Sequence, residues 1–77
     1  MNTEALKYLH ELYQSHAFGS RDAFRAVNGK SAKTNMDVDK GRYYLKVAES
    51  IGLVERFDRY RYVLTAAGKG AANVAKP

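Results

Sequence analysis

The chain has no cysteine, no tryptophan, a single proline and two histidines in 77 residues. Without thiols, neither a disulfide nor a thiolate metal site can brace the fold. His10 and His16 stand six apart, the wrong interval for a metal pair on one helical face, and no Asp or Glu joins them at ligand spacing. Apolar packing must therefore hold the molecule together. A chain this short buries a smaller fraction of its surface than a longer one, so a single domain spanning 1–77 is expected. No apolar run approaches the roughly 20 residues needed to cross a bilayer, and the first residues show neither the basic start nor the continuous apolar stretch of a signal peptide. An intracellular, cytoplasmic protein with no membrane partner is expected. Ser20, Ser31 and Ser50 lack a nucleophile-elbow context, and Gly68 and Gly70 lack phosphate-loop spacing. No catalytic residue, metal site or cofactor is expected, and hence no enzyme.

What the chain does hold is a globular composition, 45% apolar and 12% aromatic, which is too rich for a disordered tail. Its formal net charge is +5. The charge is unevenly placed: residues 1–16 carry Lys7 against Glu4 and Glu11, whereas residues 17–77 carry 12 basic and 6 acidic groups. A surplus of this kind points to a polyanionic partner but does not by itself choose among nucleic acid, an acidic protein and a membrane surface.

Apolar residues at steps of three and four (Ala5, Leu6, Leu9, Leu12, Tyr13) predict a first amphipathic helix over about 3–16, capped by Thr3 or Asn2. Phe18-Gly19-Ser20 breaks it and offers a cap for a short second helix over about 21–28, which Asn28-Gly29 stops. Thr34-Asn35-Met36-Asp37 has capping-box spacing in acidic form and starts a third helix. Its inward stripe is expected to be Val38, Gly41, Leu45 and Ala48, widened by Tyr44, Val47 and Ile51, and Gly52 ends it. Leu53–Phe57 and Tyr60–Leu64 read as two strands around a tight Asp58-Arg59 turn. Thr65 can cap a last alanine-rich segment, which Gly68 and Gly70 predict to be a weak or frayed helix. No internal repeat, low-complexity tract or linker is present.

This order, with Tyr44-Leu45-Lys46-Val47-Ala48-Glu49-Ser50-Ile51-Gly52-Leu53-Val54-Glu55-Arg56 and then Arg61-Tyr62-Val63-Leu64-Thr65-Ala66-Ala67-Gly68, resembles the winged helix-turn-helix domain of many bacterial transcriptional regulators, including the antibiotic-resistance repressor type. The resemblance covers roughly residues 3–70. It implies an α+β, mainly α fold: three helices, a C-terminal β-hairpin wing and a weak last helix. The implied partner is double-stranded DNA and the implied role a small transcriptional regulator, similar to those of phages and mobile elements, cytoplasmic and nucleoid-associated if bacterial. Such folds often dimerise, here through helix 1 or the tail after Thr65, and two copies would read half-sites about one helical turn apart. No ligand-sensing module is expected beside a single domain of this size, and regulation is expected from abundance, dimerisation or a partner.

A major groove about 12 Å wide admits one helix. The third helix is the candidate, with Lys40, Arg42, Tyr43 and Lys46 on its uncovered arc. Arg42 is suited to a bidentate guanine contact, and Tyr43 to a thymine methyl or a phosphate. In the hairpin, Arg56, Arg59 and Arg61 can follow the backbone or enter the minor groove, with Arg59 and Arg61 on one strand face and Tyr60 and Tyr62 on the other. Arg21 and Arg25 on the second helix, with Lys30 and Lys33 after it, would add phosphate contacts. The plainer reading of these cations is solvated surface, with Arg25 paired to Asp22 or Glu49 and Arg59 to Asp58 or Glu55. Tyr8, Tyr13, Tyr44 and Tyr62 read as core or half-buried packing. The alternative function is a winged helix module that binds another protein, and Asp37, Asp39 and Gly41, where related regulators commonly place small polar residues, favour it.

Overall fold

A computed structural model describes residues 1–14 and 16–73. Among the described residues, four helices and a two-stranded antiparallel sheet follow one another as α1 (Thr3–Tyr13), α2 (Ser20–Asn28), α3 (Asn35–Ser50), β1 (Val54–Arg56), β2 (Tyr62–Leu64) and α4 (Ala66–Asn73). The architecture is mainly helical with a small sheet. No helix among the described residues is long and apolar enough to cross a membrane.

Three helices begin where a short polar side chain takes up an orphan backbone donor: Asn2 at α1, Thr34 at α3 and Thr65 at α4. Asn2 Oδ1 accepts from the Ala5 amide at 2.8 Å, and Thr34 Oγ1 accepts from the Asp37 amide at 3.1 Å. At α2 the cap is Gly19 rather than Ser20, and the Asp22 carboxylate reaches back to the Gly19 amide at 2.9 Å. Helix α1 stops at Tyr13, short of the expected His16, because Gln14 takes a positive φ of 37° and turns the chain. Residue 15 lies outside the described residues. Tyr13 takes the inward place at that end, with its ring 5.9 Å from that of Phe18, and Leu12, expected on the core face, is left exposed. Ile51 is likewise exposed, since the helical period ends at Ser50.

The core joins Leu6 and Leu9 of α1, Phe18, Ala23 of α2, Leu45 and Ala48 of α3, Val54, Tyr62 and Leu64 of the sheet, and Ala72 of α4. Fully burying a leucine or phenylalanine stabilises by roughly 1.5–3 kcal/mol, so Leu6, Leu9, Phe18 and Leu45 dominate this cluster. Two glycines set its closest approaches. Gly41 of α3 lies against the Ser20 carbonyl of α2, and Gly68 of α4 lies against the Leu53 carbonyl. Helix α4 is formed from Ala66 to Asn73 and runs through Gly68 and Gly70, capped by Thr65 Oγ1 on the Gly68 amide, with Gly68 and Ala72 buried and α1 as its neighbour. Its glycine is a contact surface instead of a break.

The strands are shorter than expected. Pairing runs Val54↔Leu64, Glu55↔Val63 and Arg56↔Tyr62, which leaves five residues, 57–61, in the connecting loop in place of a two-residue turn. Strand alternation therefore does not reach Tyr60, which is exposed while Tyr62 is buried; the expected sharing of one face by these two tyrosines fails. Phe18, between α1 and α2, exchanges two backbone hydrogen bonds with Tyr62, at 2.9 and 2.8 Å, and so pins the base of the hairpin beside the start of α2.

Candidate nucleic-acid interface

Three elements meet along one concave face. The first turn of α2, one flank of α3 and the hairpin loop enclose a groove of about 690 Å³. Arg21 lines it from α2, Arg42 and Lys46 from α3, and Arg56, Arg59 and Arg61 from the hairpin, with Val38 and Tyr62 on the apolar floor and Tyr60 at the rim. Arg42 and Lys46 stand one helical turn apart on α3 and so present their charges to the same side. The Gly41 contact with Ser20 brings Arg21 alongside Arg42, and the Phe18–Tyr62 bridge brings the hairpin across from both.

Asp22 is the one carboxylate among the lining residues, and its oxygens are occupied. Oδ1 accepts from the Tyr13 hydroxyl and Oδ2 from the Gly19 amide. Burial first, and then this bond to a carboxylate, push the Tyr13 phenol up to about 12 from its usual 10.0. The tyrosine thus stays neutral and locks the end of α1 to the start of α2.

The two acidic residues at the head of α3 separate in role. Asp37 turns away from the groove and back along the chain, where its Oδ2 accepts from the Lys33 amide at 2.9 Å. That backbone bond, above all, holds its carboxyl below the ordinary carboxylate range. The capping box expected at Thr34 is thus completed one residue further out. Asp39 remains exposed and pairs with Arg42 at 3.2 Å. An exposed pair of this kind is worth little and can be exchanged for a better partner.

No protein-family model, curated protein or solved structure matches this chain.

Of the ten cations and one tyrosine singled out from the sequence, six line the groove: Arg21, Arg42, Lys46, Arg56, Arg59 and Arg61. Five do not. Lys40 and Tyr43 are exposed on the other flank of α3, since at 100° per residue Lys40 lies roughly 160° around the axis from Arg42. Arg25 points towards α1, donating to the Tyr8 hydroxyl at 3.1 Å and the Ser31 hydroxyl at 2.8 Å, with neither Asp22 nor Glu49 as partner. Lys30 and Lys33 are exposed in the α2–α3 connection. Sequence reasoning misses the role of Asp58, which pairs with Arg61 instead of Arg59. The only available signal is the lack of glycine in a loop that still has to turn. Asp22 reads from the sequence only as a partner for Arg25; the Gly19-x-x-Asp22 spacing is the signal for its capping role.

Proposed function

We propose that this chain binds double-stranded DNA through the basic groove, with α3 directed at the major groove and the 56–61 hairpin along the phosphate backbone as a wing. The observation that carries this reading is the convergence of six cations from three separate elements on one groove, whose lining includes a single acid, Asp22, that is internally satisfied, while Asp39 and Asp58 pair from outside that lining with Arg42 and Arg61. Surface lysines and arginines scattered for solubility have no reason to converge. The element order, two helices before a longer third helix and then a hairpin, supports a winged helix-turn-helix. Helix α3, about 24 Å long at 1.5 Å per residue, is long enough to present several residues to base edges. On this reading the protein is a small transcriptional regulator without catalytic function, and a second copy would supply a second half-site.

Contacts from about five of the six groove cations to phosphate give a slope of roughly −4 to −5 in log K against log salt. Fluorescence-anisotropy titration of a random 30-base-pair duplex at two salt concentrations measures it. Micromolar binding that weakens steeply with salt is the expected result, and no binding by folded protein at low salt refutes the reading.

One observation favours a protein partner instead. Met36 and Tyr43, seven residues apart on α3, are 67% and 65% exposed outside the groove, an apolar pair that phosphate would not recognise. Capture of a protein by a sample that ignores duplex DNA would establish that alternative.

A further inference from the structure

The hairpin loop spans five residues, 57–61, contains no glycine, and has no residue at positive φ. The backbone closes it through the Phe57 and Asp58 amides, which both donate to the Arg61 carbonyl, at 2.9 and 3.2 Å. The Asp58 side chain reinforces that closure. Its Oδ1 accepts from the amides of Tyr60 at 3.1 Å and Arg61 at 2.9 Å, and its Oδ2 accepts from Arg61 Nε at 2.8 Å and from a terminal guanidinium nitrogen at 2.5 Å. One carboxylate thus ties down two backbone donors and one side chain.

The three arginines of the hairpin are consequently unequal. Arg61 is clamped by Asp58 and lies over the Phe57 ring. Arg56 spans the loop from inside, donating to the Arg59 carbonyl at 3.0 Å and to the Tyr62 hydroxyl at 2.8 Å. The Arg59 guanidinium has no hydrogen bond or ion pair among the described residues and rests only on the Tyr60 ring, 5.5 Å from its centre.

We propose that Asp58 is the positioning residue of the basic loop: it folds the 57–61 segment so that Arg61 and Arg56 serve as struts and Arg59 is delivered, unpaired, to the phosphate backbone. This inference rests on the duplex-binding reading above. It also makes a prediction opposite in sign to charge counting. Asp58 is an acid beside a surface meant for a polyanion, so on charge alone its removal would tighten binding. If it positions the loop, removal weakens binding, because the released side chains must be ordered on the DNA.

The test compares wild-type protein, Asp58→Ala and Asp58→Asn by anisotropy on the same random duplex, with amide signals of Tyr60 and Arg61 followed by ¹⁵N NMR in the free proteins. Asp58→Ala is expected to bind roughly two- to tenfold more weakly, the cost of ordering about one long side chain. Asp58→Asn should fall between, since its amide oxygen can still accept from both backbone amides but loses the Arg61 ion pair. The two amides should lose their rigidity in Asp58→Ala while the rest of the spectrum is unchanged. Equal or tighter binding by Asp58→Ala, or rigid Tyr60 and Arg61 amides in that variant, overturns the inference and leaves the DNA reading standing. Absence of duplex binding by the wild-type protein overturns that reading, and the role of Asp58 with it.

Discussion

Replacing Gly41 by alanine adds one methyl group at the point where α3 rests on α2. The new Cβ would fall 1.9 Å from the Ser20 carbonyl oxygen and 2.7 Å from its carbon, against an ordinary contact of at least 3.4 Å. The obstacle is the backbone of a helix, which cannot rotate aside as a side chain can. Helix α2 would have to withdraw by roughly 1.5 Å, opening the contact between the two helices. Overpacking of this kind costs about 1–3 kcal/mol, and a rigid obstacle places it at the upper end. Alanine recovers up to about 1 kcal/mol through its helix propensity. The net loss is about 2 kcal/mol, out of the roughly 4–12 kcal/mol expected for a domain of this length. Thermal unfolding followed by circular dichroism should show a midpoint roughly 8–16 °C lower. Gly70→Ala is the matched control: nothing lies within 4 Å of where its methyl group would sit, so the same exchange on α4 should leave the midpoint unchanged or raise it. A Gly41→Ala midpoint at or above that of the unmutated protein would refute the argument. The withdrawal of α2 would also part Arg21 from Arg42, so duplex binding should weaken in whatever fraction remains folded.

Three further outcomes are expected. The Tyr13 phenol titrates near 12 when folded and 10.0 when unfolded, so its contribution to stability is complete below pH 10 and is lost as pH rises through 12. Tyr13→Phe should lose roughly 1–2 kcal/mol at neutral pH and show a shallower decline across that alkaline window, as measured by denaturant melts. Arg42→Ala should relax base preference in a selection experiment, whereas Arg59→Ala should weaken binding to all duplexes about equally and make the salt slope shallower by about 1. Thr34→Ala removes the cap of α3 and should cost about 1 kcal/mol in urea unfolding.

Local chemistry makes much of this molecule legible in the amino-acid order alone. The spacing of Leu6 and Leu9, the Thr34 and Thr65 caps and the stop at Gly29 each act over a few residues and fall at their expected places, while the runs around Val54 and Val63 do pair, one residue out of the register that a two-residue turn would set. Six of the eleven proposed contact residues gather on one face: helical periodicity puts Arg42 and Lys46 on the same side of α3, whereas the hairpin loop carries Arg59 and Arg61 there. Tertiary contacts decided the rest. Gly41 and Gly68 look like weak points in a helix until the partner carbonyls that require them are in view. Arg25 and Lys40 carry the same charge as Arg42; helix geometry turns Lys40 to the far side of α3, whereas only the packing of α2 on α1 and α3 assigns Arg25 to another face. The bridge between Phe18 and Tyr62 joins residues 44 positions apart in the chain, a pairing that no local pattern encodes. Amino-acid order thus determined which segments are helical or extended and how much positive charge the chain carries. Only the folded backbone decided which of those charges share a groove, because that depends on how closely three elements can approach and on which side chains hold them there.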